Sequence, residues 1–330
     1  MSTPSAEAPP PLRSPALATP PAPMKYIPVR HHWRWVSAGV IAVLALALAY
    51  SLAKNPNIGW GVIGEYLFKA LTLRGVLVTI ELTVIAMVIG VGGGVILAIM
   101  RLSRNPLLGT VSWFYIWLFR GTPLLVQLLL WGFLGALYPR LFLGIPFIGV
   151  VFADVPTSSV IGAFTASILG LGLNEAAYAA ELVRAGLISV DPGQTEAAFS
   201  VGMSGSLTLR HVVLPQAMRV IIPPMGNETI SMLKMTSLVS VISGTDLLTQ
   251  LQRVYTQTFQ IIPLLLVACI WYLTLTTVLS IGQHYLERYF GRGTTREVRQ
   301  QVALATGGAE TLIGAGVGAM SDQKLGEDHR

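Results

Sequence analysis

Asp191–Pro215, DPGQTEAAFSVGMSGSLTLRHVVLP, is a polar stretch set between two long apolar runs, and the fold is read outward from it. It predicts two short helices hinged at a glycine. Asp191 suits the N-cap of the first, Pro192 its first turn, and Gln194 three residues on completes a box-like cap. Glu196, Ala197 and Ala198 follow on a helix whose small side chains allow another protein to approach closely. Gly202 permits the left-handed turn that ends this helix. Ser204 or Ser206 then caps a second helix carrying Leu207, Arg210, His211 and Val212, and Pro215 interrupts it so that the chain changes direction. A rigid elbow of this kind is a handle for pushing or being pushed.

The sequence around the elbow reads as membrane. Apolar residues are 53% of the chain and charged residues 12%, about half the soluble average. Six apolar runs approach the roughly 20 residues that span a hydrocarbon core: Trp35–Ala53, Gly75–Met100, Val111–Tyr138, Val160–Val183, Val220–Ile242 and Ile261–Leu286. The second holds Gly90 and Gly94 at the GxxxG spacing that lets helices touch. In the fifth, Pro223 and Pro224 are expected to break the helix and free backbone groups near the midplane. The expected fold is an all-α integral membrane protein of six spans. Residues 1–33 form a Pro-rich tail with a basic flank, 34–53 a separate first span, 72–287 the main domain, and 291–330 a charged, then Gly/Ala-rich tail, both tails expected to be disordered. No short apolar leader precedes the first run, so no signal peptide is expected.

Orientation follows from Lys and Arg. With both termini in the cytoplasm, 15 positive residues lie inside, five outside (Lys54, Lys69, Arg74, Arg140, Arg253) and two, Arg120 and Lys234, within spans, which accounts for all 22. The elbow then faces the cytoplasm. The net charge of +6 is not interleaved with aromatic platforms, so nucleic acid is not an expected partner. Cys269, the single cysteine, reads as a small buried hydrophobe. No metal-ligand spacing and no nucleophile–base set stands out, and no lysine follows a glycine, which excludes a nucleotide-cradling GxxxxGK[ST] loop.

Ionisable groups inside a bilayer cost roughly 2.5 kcal/mol or more each and need partners or a wet cavity. Arg120, Glu175, Glu228 and Lys234 are such groups, with Gln127, Asn174 and Asn227 as neutral donors and acceptors and Tyr178 nearby in the chain. Together they offer both an anion-binding and a cation-binding group, which an amino acid zwitterion requires. Plainer readings stand beside this one: Arg120 snorkels to an interface, Glu228 pairs with Lys234, and Glu196 sits on a solvated helix face.

The spacing of Glu196-Ala197-Ala198, Gly202 and Val212-Val213-Leu214-Pro215 resembles the EAA signature of bacterial ABC importer permeases, with Val212 where isoleucine is commonest. Phe119–Gln127 (FRGTPLLVQ), Asn174–Tyr178 (NEAAY), Leu214–Ala217 (LPQA), Asn227-Glu228 and Lys234–Leu238 (KMTSL) resemble the branch of that family that handles histidine, glutamate, glutamine, arginine and opines, although an acidic or amide residue is more usual at Met235. The resemblance runs from about Thr72 to Glu287. It implies a type I importer transmembrane domain, a five-helix core to which the first span is an addition, in a bacterial plasma membrane. It also implies two separate ATPase subunits that bind ATP and Mg and receive Glu196, Ala197, Ala198, Gly202, Leu214 and Pro215. A second permease subunit, identical or homologous, an extracytoplasmic solute-binding protein and a polar amino acid complete the implied system. An ion-gradient-driven secondary transporter is the alternative, and the internal inverted repeat it would favour is absent from the sequence.

Overall fold

The computed structural model describes residues 32–145 and 150–290, so both expected tails lie outside the described residues. Residues 1–55 and 56–330 separate into two units. In the first, α1 (His32–Lys54) is a helix whose residues from Trp33 to Lys54 are exposed. It is free of charge from Trp35 to Ala53 and long enough to cross a bilayer.

The second unit opens with a 3₁₀ turn (Pro56–Ile58), α2 (Trp60–Leu67) and the long α3 (Ala70–Leu102). The run expected as one span from Val111 to Tyr138 is instead two helices, α4 (Pro106–Gly121) and α5 (Leu124–Gly132), bent by 99°. The reason is Pro123: the residue before a proline is pushed out of the helical region, and Thr122 is extended with φ −116° and ψ 142°. A short α6 (Leu134–Leu137) leads into an antiparallel hairpin, β1 (Arg140–Ile145) and β2 (Val150–Pro156), then α7 (Thr157–Val160). Next come α8 (Ala163–Ile188), the elbow helices α9 (Pro192–Ser200) and α10 (Gly205–Thr208), and α11 (Leu214–Met235). A 3₁₀ segment (Thr236–Ile242), α12 (Leu247–Thr258) and α13 (Ile261–Phe290) finish the described chain.

Two proline expectations are corrected. Pro223 and Pro224 lie inside α11, which runs through them unbroken. Pro215 does not turn the chain either: α10 passes through a five-residue π turn, Leu209–Val213, directly into α11. There the Leu214 N–H reaches back five residues to the Leu209 carbonyl, and the π turn takes up the break that Pro215, with no N–H to donate, makes in the ladder just after it. Cys269 is exposed rather than buried.

Among the described residues, α1, α3 and α13 are long and apolar enough to cross a membrane, and the bent α4–α5 pair makes a fourth span if counted as one. The other two expected spans, α8 and α11, are 26 and 22 residues long but carry the polar groups singled out above.

The centre of this unit is the contact of α3 with α8, and it is made by small residues. A Cβ added at Gly90 would lie 2.3 Å from Cγ of Glu175, at Gly93 3.0 Å from Cβ of Ala176, and at Gly94 2.5 Å from Cβ of Ala179 and 2.8 Å from the Ala180 nitrogen. Leu82, Ala86, Leu128, Leu171, Met232 and Val239 close the core around it. Backbone cannot retreat cheaply from a new methyl group. Gly94→Ala should therefore lower unfolding stability by about 1–3 kcal/mol. Gly92→Ala, with open space around it, should be neutral or slightly stabilising. Melting the two purified variants in detergent against the parent checks both.

Candidate functional site

The elbow is built as its residues dictate. The Asp191 carboxylate accepts the Gly193 N–H at 2.6 Å and caps α9, while the reciprocal bond expected of Gln194 is not made. At the far end the Gly202 N–H donates to the Phe199 carbonyl and the Met203 N–H to the Ala198 carbonyl. That pair of bonds is a Schellman close, and Gly202 holds the left-handed φ of 84° it needs. Nothing lies within 4 Å of a Cβ added there, so glycine is required by backbone conformation and not by space. Ser204, rather than Ser206, caps α10 through the Leu207 N–H at 3.5 Å.

On this frame Glu196 and Ala197 are exposed, Ala198 is buried, and Leu214 and Pro215 are exposed at the start of α11. The sequence reading passed over Phe199, Val201 and Leu209 beside them: Phe199 is 51% exposed and Val201 77%, and Leu209 is open, as is Leu207, already expected on the second helix. Their signal was large hydrophobes inside an otherwise polar loop. Together they make a small, partly apolar surface with one carboxylate on it, the kind that seats in a partner's cleft.

The second group of residues lies where α4, α5, α8 and α11 meet. The bend at Thr122 releases main-chain carbonyls inside the protein, and buried amides take them up. Gln127 Nε2 donates to the Phe119 carbonyl at 2.9 Å and to Thr122, and Asn174 Nδ2 donates to the Phe119 carbonyl and to Gln127 Oε1, both at 3.1 Å. Thus Gln127 and Asn174 are brought together, but as the staple of the bend. Beside them Arg120 is exposed, with its guanidinium 5.1 Å from the Tyr178 ring centroid. Glu175 is buried on Gly90, and one of its carboxylate oxygens has no hydrogen-bond partner. Half-buried Glu228 feels the charges of both Arg120 and Glu175, yet among the described residues it forms no ion pair with Arg120.

Two expected members stand apart. Asn227 accepts a hydrogen bond from Gln283 of α13 at 2.9 Å. Lys234 is exposed, and neither it nor Glu228 forms an ion pair among the described residues, so the Glu228–Lys234 pairing is not seen. A hollow of about 250 Å³, lined by Phe119, Thr122, Val126, Gln127, Leu130 and Trp131 among others, opens along the bend. The described residues hold no cluster of metal-ligating side chains.

Residues 90–292 match the family model of the binding-protein-dependent transport system inner membrane component. The arginine transport system permease protein ArgU of Corynebacterium glutamicum is 46% identical over 289 residues, covering 86% of this chain and 89% of that protein. The L-cystine transport system permease protein TcyB of Bacillus subtilis is 34% identical, covering 73% and 95%. The crystal structure of an amino acid ABC transporter with histidines is similar at a TM-score of 0.55 and 38% identity, covering 66% of this chain and 94% of that one.

Replacing Gln127 by Leu would leave the Phe119 and Thr122 carbonyls short of partners inside the protein. We expect Gln127→Leu to destabilise the folded protein by about 1–3 kcal/mol, read as a lowered melting temperature in detergent.

Proposed function

This chain belongs to the binding-protein-dependent transport system inner membrane components, the permeases of amino acid ABC importers, and from that premise we propose that its cargo is an amino acid with a cationic side chain. The observation that carries the reading is the set of ionisable groups at the helix junction, where half-buried Glu228 lies within electrostatic reach of Arg120 and of buried Glu175. A bound α-carboxylate would answer Arg120, and a positive group on the ligand would answer Glu228. The arginine permease among the relatives supports the same class. Tyr178 orients Arg120 by stacking, while Gln127 and Asn174 hold the bend against which the ligand passes. Asn227, bonded to Gln283 of α13, and exposed Lys234 stand outside this pathway.

The driving force comes from outside this chain. As an importer permease it works with ATPase and binding-protein partners. We further assign it two ATPase subunits that carry ATP and Mg, and a second permease subunit across the pathway. It lies in the plasma membrane with both termini and the elbow inside, and residues 72–287 form the transport domain while α1 is an addition. The elbow surface of Glu196, Ala197, Ala198 and Phe199 enters a cleft on the ATPase, Gly202 sets its angle, and Leu214 and Pro215 carry the motion into α11.

Uptake into vesicles holding the reconstituted complex tests this. Glu196→Ala and Gly202→Val should each lower ATP-driven arginine uptake by about tenfold or more, the scale of one lost charge-assisted contact or one strained φ, with insertion intact. Uptake driven by an ion gradient without ATP would reverse the assignment. Glu228→Gln should weaken uptake of arginine more than that of glutamine, and equal loss for both would remove the charge argument.

A further inference from the structure

We propose that the β1–β2 hairpin rests in the headgroup boundary of the bilayer and anchors this part of the permease to the lipid surface. Leu141–Ile145 and Val150–Ala153 carry no charged or hydrogen-bonding side chain. The strands pair in antiparallel register, Leu141 with Val155, Phe142 with Asp154 at the base, Leu143 with Ala153 and, beyond a bulge, Gly144 with Val151. Alternation of apolar and polar residues, the mark of a hairpin with one wet face, is missing. Phe142 and Phe152 are each 67% exposed, and an isolated two-stranded hairpin is barely stable in water.

The base of the hairpin is different. Arg140 Nε donates to Asp154 Oδ1 at 2.7 Å, and Tyr138 just before it is exposed. Apolar strands over an aromatic and a charge pair reproduce the order of a membrane interface. Strands of six and seven residues are too short to cross, since spanning strands need about 9–11, and their unpaired edges cannot enter hydrocarbon. The hairpin is therefore an interfacial element. A soluble protein partner fits less well, because such interfaces carry about one hydrogen bond per 100–200 Å², and beyond the Arg140–Asp154 pair at the base Leu141–Ile145 and Val150–Ala153 have no side chain to make one. Edge-to-edge pairing with a second copy is opposed by the bulge between Leu143 and Gly144, which twists the edge away. This inference rests on the chain being a membrane protein and not on its cargo.

The test uses the assembled transporter in phosphatidylcholine–phosphatidylglycerol vesicles, with Cys269→Ser as background. A nitroxide is placed at Phe142→Cys, at Phe152→Cys and, for reference, at Gln257→Cys, an exposed polar site on α12. The ratio of oxygen to nickel-chelate accessibility should be several-fold higher at both hairpin sites than at the reference. A ratio equal to the reference at both sites overturns the proposal. A rise seen only after adding the solute-binding protein, or a disulfide joining two copies through Phe152→Cys, also overturns it by assigning the strands to a protein. Unchanged amino acid uptake by the labelled protein separates failure here from failure of the transport reading.

Discussion

Everything at the helix junction depends on how closely α3 and α8 approach. Lipid gives two helices no hydrophobic reason to associate, so contact must come from packing, and packing at this range needs side chains of almost no size. Gly90, Gly93 and Gly94 on one helix and Ala176, Ala179 and Ala180 on the other meet that need. Glu175 lies on the same seam, its methylenes filling the space a Cβ at Gly90 would take. The carboxylate is thus carried into the protein by the packing that holds the fold. Removing the seam would expose a carboxyl group to lipid as well as open the core, which ties stability to the placement of Glu175.

A second constraint follows from the bend between α4 and α5. Backbone groups released inside a membrane protein must find partners, and no water is assured there. Gln127 and Asn174 supply donors from two different helices to the same Phe119 carbonyl, so the bend is pinned to α8 as well as closed on itself. With these amides occupied by the main chain, the ionisable groups Arg120, Glu175 and Glu228 are what the proposed function has left to offer a ligand. Division of labour between amides and charges is therefore a result of where the chain breaks.

The elbow was legible in the sequence because its signals are local: Asp191, Ser204 and Gly202 act within a few residues of themselves, and all three do what their chemistry predicts. Resemblance over the main domain likewise survived comparison. Features that depend on neighbours were not readable. Hydropathy has no direction, so a 99° bend inside Val111–Tyr138 passed for one span. Pro223 and Pro224 looked like a break, yet packing on α8 and α13 keeps α11 helical through both. The strands at Arg140–Pro156 were hidden because an apolar run without alternation gives no strand signal.

The correction at Pro215 changes how the elbow works. From Gly205 to Met235 the chain stays helical, about 46 Å at 1.5 Å per residue, so α10 and α11 form one lever and not two rods at an angle. The π turn within it inserts one residue's worth of rotation, about 100°, into everything that follows. Ala217 and Ile221, buried against Gly186 of α8, reach their places only with that rotation, and so does Glu228 two and three turns further on. A push on α9 that tightened or relaxed the π turn would rotate Glu228 about the axis of α11 rather than slide it along, moving it toward or away from Arg120. In this geometry, the coupling we propose between the elbow and Glu228 would be torsional.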